Sequence, residues 1–121
     1  MGVAATDLRR AVSFYELLGF TFAPFGDGED HVESAGGGAR LMIDTAELLT
    51  GLLGEPPRRG NTAAFAVRWS TPEEVDAAAA RVAAAGYTVV TPPWDAPWRQ
   101  RYATVADPDG YRVDLYALAS G

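Results

Sequence analysis

Leu18-Gly19-Phe20-Thr21-Phe22 and Ala85-Gly86-Tyr87-Thr88-Val89 are the two stretches that decide the fold. In each, a helical pattern runs into glycine, and an aromatic-Thr-apolar run follows. Glycine after a helical run is a stop signal, because it takes up the left-handed backbone that ends many helices. Upstream of the first stop, Leu8, Ala11, Val12, Tyr15 and Leu18 fall at helical spacing behind Asp7, a capping residue. Upstream of the second, Thr71-Pro72-Glu73-Glu74 opens a helix with a cap, an early proline and acids near the positive end. Val75, Ala79, Val82 and Ala83 supply its apolar face.

Working outward, each helix is flanked by strands. The first module starts with a short apolar run at 3–5. After the helix come expected strands at 20–25, 29–35 and 39–44, the last two separated by Gly36-Gly37-Gly38. Residues 46–53 have helical character, and Glu55-Pro56-Pro57-Arg58-Arg59-Gly60 reads as a linker. The second module starts with a strand at 62–69. Its helix is followed by a strand at 87–91, a loop Pro92-Pro93-Trp94-Asp95-Ala96-Pro97-Trp98, and two strands joined by Asp107-Pro108-Asp109-Gly110. That turn has Pro at its first central position and a Gly that tolerates positive φ. The order strand–helix–strand–strand–strand therefore occurs twice. The expectation is an α+β fold of two tandem βαβββ modules, about 1–54 and 61–121, joined by linker 55–60 in one domain spanning 1–121.

Composition narrows the function classes. A chain of 121 residues is long enough for one domain with a real core. It has no cysteine, which excludes disulfides and thiolate chemistry. A net charge of -6 argues against nucleic acid, which needs a basic face. A neutral or cationic small ligand fits that charge better. No apolar run approaches the ~20 residues of a membrane span, and there is no basic-then-apolar leader. A cytoplasmic protein with neither nucleic-acid nor membrane partners is the expectation.

Thr6-Asp7-Leu8-Arg9-Arg10-Ala11-Val12-Ser13-Phe14-Tyr15, with Leu17-Leu18-Gly19-Phe20, and the closing run Ala103-Thr104-Val105-Ala106-Asp107-Pro108-Asp109-Gly110-Tyr111-Arg112-Val113-Asp114-Leu115 carry a resemblance. The chain resembles the vicinal oxygen chelate superfamily, the glyoxalase/bleomycin-resistance/dioxygenase group, over essentially its whole length. The resemblance implies a U-shaped mixed-sheet cavity with helices outside, and a habit of dimerising. Metal-binding members use four ligand positions on four strands. Carried over one at a time, the first falls ahead of Met1. The second falls near Leu41, the third on Thr62 and the fourth on Asp114. Only Asp114 offers a usable ligand, and the chain's one histidine, His31, lies on a different strand. No metal, no other cofactor and no catalytic residue are therefore assigned.

Strand alternation supplies candidate binding residues instead. With Phe65 and Val67 on the helix, Thr62, Ala64, Ala66 and Arg68 face the cavity. With Val113 and Leu115 in the core, Arg112, Asp114 and Tyr116 face it. Tyr102 and Thr104 follow from Val105, while Leu41 and Ile43 share the ligand side of the first module. Trp94 and Trp98 sit in the proline-stiffened loop above. Each has a plainer reading. Arg68 and Asp114 could be a buried pair holding sheet to sheet, Trp69 could be core, and the loop tryptophans could pack on the protein itself. The expected function is a metal-free binding protein of the bleomycin-resistance type. It would sequester an aromatic, natural-product or antibiotic ligand, neutral or cationic, in a cavity of a homodimer. The alternative is an enzyme of the same superfamily, an isomerase, lyase or dioxygenase, acting on a small carbonyl or aromatic compound.

Overall fold

Each helix begins where a side chain can take up its unpaired amide groups. The computed structural model describes residues 2–35, 41–56 and 64–119. The chain divides into two compact units, residues 1–59 and 60–121.

In the first unit, β1 (Gly2–Ala5) leads into α1 (Leu8–Leu17). The Asp7 carboxylate accepts from the Arg10 amide at 3.1 Å, as an N-cap does. Gly19, at φ 95°, lies just past the end of the helix. Leu8, Ala11, Val12, Tyr15 and Leu18 are all buried, as their spacing predicts, and Phe14 joins them. Tyr15 meets Phe14 edge-on at 5.0 Å and Phe20 at 6.0 Å. Three strands follow: β2 (Thr21–Phe22), β3 (His31–Ala35) and β4 (Met42–Thr45). Then α2 (Ala46–Leu53) begins on the Thr45 hydroxyl, which accepts from the Leu48 amide at 3.2 Å. The sheet order is β1-β4-β3-β2, with β1 parallel to β4 and the other pairs antiparallel.

The second unit repeats this topology. β5 (Ala64–Arg68) precedes α3 (Pro72–Ala84), and β6 (Thr88–Ala96), β7 (Gln100–Ala106) and β8 (Arg112–Leu118) complete it. The order is β5-β8-β7-β6, with β5 parallel to β8. Thr71 and Glu74 form a reciprocal capping box at the start of α3. Val75, Ala78, Ala79 and Val82 are its buried residues, so Ala78 replaces the expected Ala83, which is exposed. The turn between β7 and β8 closes as expected, with Gly110 at φ 89°. Asp107 adds an Asx turn: its Oδ1 accepts from the amides of Asp109 and Tyr111, both at 2.9 Å.

The α+β class and the tandem βαβββ order match the sequence reading. Three local expectations are corrected. The strand at 20–25 shrinks to Thr21–Phe22, because Pro24 lacks a donor and Phe25 turns to Arg9, which donates to its carbonyl at 3.1 Å and stacks over its ring at 4.9 Å. The Pro/Trp loop is largely strand: β6 runs through Pro92, Pro93 and Trp94. Prolines are tolerated there because β6 is an edge strand, and the register shifts twice between Val89 and Trp94. Finally, Leu41 and Ile43 do not line an open face. They are 1% and 0% exposed, so the core-facing set of β4 is one residue out of phase with the expected one. Linker residues 57–60 and Thr62 lie outside the described residues. Among those described, no helix is long and apolar enough to cross a membrane.

Candidate functional site

Register decides which side chains meet. In the second unit, β8 alternates strictly: Val113, Leu115 and Ala117 are fully buried, and Arg112, Asp114 and Tyr116 are half-buried on the other face. Their partners on β7 are Ala106, Thr104 and Tyr102, and on β5 Ala64, Ala66 and Arg68. Trp94 of β6 stands opposite Tyr102. The residues singled out from sequence on β5, β7 and β8 therefore share one face with Trp94.

Trp98 reaches that face through a tight turn. The Arg99 amide donates to the Ala96 carbonyl at 3.1 Å, and Arg99 takes φ 66°, the one non-glycine left-handed residue among those described. The Trp98 indole N–H donates to Gln100 Oε1 at 3.0 Å. Its ring stands edge-on to Trp94 at 5.5 Å and to Tyr102 at 5.4 Å, and Tyr102 stacks with Tyr116 at 6.5 Å. The result is a continuous row of four rings. Trp94 and Trp98 remain 40% and 53% exposed. Covering the exposed parts of two indoles, about 200 Å², gives roughly 5 kcal/mol before ordering costs.

Asp114 is built into the same face. Its Oδ2 accepts from the Tyr102 hydroxyl at 2.5 Å and its Oδ1 from the Thr104 hydroxyl at 2.9 Å. Burial first, then the bond to Asp114, pushes the Tyr102 hydroxyl up to about 12. The expected alternative for Arg68 and Asp114, a buried ion pair, is not formed. Arg68 is exposed and Arg112 half-buried, and neither makes an ion pair among the described residues. Trp69 lies near the helix instead: Arg81 of α3 sits 5.9 Å above its ring, and its buried indole N–H has no partner among the described residues.

The first unit carries a cluster that the sequence reading missed. His31 stands opposite Asp44 in the β3–β4 register. Its Nδ1 is 2.5 Å from Asp44 and its Nε2 is 3.1 Å from Glu33. Both carboxylates favour the imidazolium, Asp44 most, so the His31 pKa is raised above its ordinary value. A signal for this face was present in residues 39–44. Once Leu41 and Ile43 are placed in the core, alternation puts Met42 and Asp44 with His31 and Glu33.

The metal positions implied by the resemblance can be tested on this geometry. Leu41 has no donor and is enclosed. Both oxygens of Asp114 already accept from hydroxyls. Both nitrogens of His31 face carboxylates, leaving no lone pair for a metal. Among the described residues no group of three or more His, Asp or Glu could hold a metal ion. These donors do not fit a centre of the superfamily's kind.

Comparison with known proteins agrees with the fold. The family model described as the Glyoxalase/Bleomycin resistance protein/Dioxygenase superfamily matches residues 1–115. No curated protein gives a significant match. Among solved structures, a glyoxalase/bleomycin resistance protein/dioxygenase from Nocardioides is 28% identical with a TM-score of 0.73, covering 100% of this chain and 82% of its own. TioX from Micromonospora sp. ML1 is 26% identical with a TM-score of 0.67, covering 98% and 95%. A lactoylglutathione lyase from Agrobacterium tumefaciens is 20% identical with a TM-score of 0.69, covering 97% and 90%, a likeness of fold alone.

Proposed function

The chain belongs to the glyoxalase/bleomycin resistance protein/dioxygenase superfamily, and from that premise we propose that it binds and sequesters an aromatic small molecule, such as a natural product or antibiotic, without a metal. The observation that carries this reading is the row Trp94, Trp98, Tyr102 and Tyr116 beside the anchored Asp114. Flat rings with polar tips recognise flat ligands, and Ala66 leaves room beside them. Sequestration needs affinity alone, so a donor set unsuited to a metal does not impair it. The proposal includes a homodimer, as the superfamily's habit suggests, with Arg68, Trp94, Trp98, Tyr102, Thr104, Arg112, Asp114 and Tyr116 as the ligand-facing set.

A second reading, an enzyme acting on a small carbonyl or aromatic compound, is favoured by one observation. His31 is held between Asp44 and Glu33, which favour its imidazolium, the form that serves as a general acid. The first reading is tested by a thermal-shift screen of aromatic antibiotics and divalent metals. A ligand at 100 times its Kd should add about 2.7 kcal/mol, and Trp98→Ala should cut that shift to about half or less. A stoichiometric divalent ion retained through purification without chelator, together with turnover lost in His31→Gln, would establish the enzyme reading instead.

A further inference from the structure

Resting on the reading that the second unit's open face takes an aromatic ligand, we infer that this ligand is an anion. It would be an aromatic carboxylate or comparable oxyanion, with its charged group received by Arg68. Three observations converge on this. Each oxygen of Asp114, the carboxylate of that face, already accepts a hydroxyl, from Tyr102 at 2.5 Å and from Thr104 at 2.9 Å. The face also carries two guanidinium groups, Arg68 and Arg112, and neither has a partner among the described residues. Arg68 is the register partner of Tyr116, which ends the aromatic row, while Arg112 stands two residues from Asp114 along β8.

A planar ligand lying on Trp94, Trp98, Tyr102 and Tyr116 therefore brings its edge to Arg68. The guanidinium fork matches a carboxylate with two parallel hydrogen bonds, and it stacks on aromatic faces as well. A cation approaching Asp114 meets the opposite situation. Arg112 lies on one side, and Arg68 lies on the other, two residues from Ala66, which pairs with Asp114. Two residues of strand span roughly 7 Å, inside the Debye length of about 8 Å at physiological salt, so neither charge is screened away. The chain's net charge of -6 favours cations at long range. At contact the local charges decide, and on this face arginines outnumber carboxylates.

The test uses three probes of one shape: 2-naphthoate, 2-naphthylmethanol and 2-naphthylmethylammonium, titrated calorimetrically into the full chain. The expected order is naphthoate tightest, by about tenfold or more over the ammonium, the size of a hydrogen bond to a charged group. Arg68→Gln should bring naphthoate down towards the level of the alcohol, with a clearly smaller loss for the alcohol, which gives up only the stacking contact. Arg68→Lys, which keeps the charge but loses the fork, should recover part of the difference. If the alcohol binds and naphthoate is no tighter, or the ammonium is tightest, the anion assignment is overturned while the aromatic site stands. If no probe binds and Trp98→Ala changes nothing, the aromatic site and the anion assignment fall together.

Discussion

The two units share one topology and diverge on their open faces. Three residues before the helix cap stands Ala4 in the first unit and Arg68 in the second, and their register partners are Asp44 and Tyr116. One strand further on, those partners face His31 and Tyr102. The same pair of ladder positions thus holds a histidine–aspartate contact in one unit and a tyrosine stack in the other. The next pair holds Glu33 with Met42 in the first unit and Thr104 with Asp114 in the second. The helix-facing positions, by contrast, are apolar in both: Val32 and Ile43 match Ala103 and Leu115. The scaffold is set by one face of each sheet, and the other face is free to vary.

That division makes ordered predictions, the largest on the constrained face. Leu115→Ala should cost about 2–5 kcal/mol in denaturant unfolding, because the side chain is fully enclosed. A cost under about 1 kcal/mol would mean the two faces of β8 are not so different. Trp98→Ala should leave stability within about 1 kcal/mol, since the ring is half exposed, yet weaken an aromatic ligand by roughly tenfold or more. Asp114→Asn should lower the Tyr102 ionisation from about 12, read by ultraviolet titration. The return should be partial, because burial, the larger cause, persists.

The smallest effect belongs to the first unit. His31 has a raised folded pKa, so its clasp on Asp44 and Glu33 is fully present below the unfolded value of 6.5 and is lost as pH rises through the folded value. The ring and Glu33 are each 41% exposed, so solvent screening should hold the contribution below about 1 kcal/mol. As the chain's one histidine, its NMR titration is unambiguous, and His31→Gln should flatten that part of the pH–stability curve. A titration at or below 6.5 would dissolve the clasp.

Sequence carried the repeat well because helix caps and glycine stops are local signals. Asp7, Thr71, Gly19 and Gly86 each act within one turn of the chain. On the second unit's face, Val105, Val113 and Leu115 fixed the phase unambiguously, so Tyr102, Thr104, Asp114 and Tyr116 were placed together. In β4 the run Leu41-Met42-Ile43 is apolar at every position, so alternation could not choose a phase. The choice is made by tertiary packing and by Ser34, buried because its amide donates to the Leu41 carbonyl and its hydroxyl accepts from the Leu41 amide, both at 2.8 Å. The Arg68–Asp114 relation was equally illegible. Which partner a carboxylate takes depends on the cross-strand neighbour, and here Thr104 and Tyr102 take that role.

Pro92 and Pro93 have one more consequence. They sit in β6, the outer strand of the second sheet, and each lacks the amide donor that a ladder bond needs. A free rim of amides and carbonyls invites another chain to extend the sheet, the route to runaway aggregation. Missing donors and a register broken twice make this border a poor template for a neighbour's strand. The strand that carries Trp94 is thereby guarded against recruiting a misfolded copy of itself.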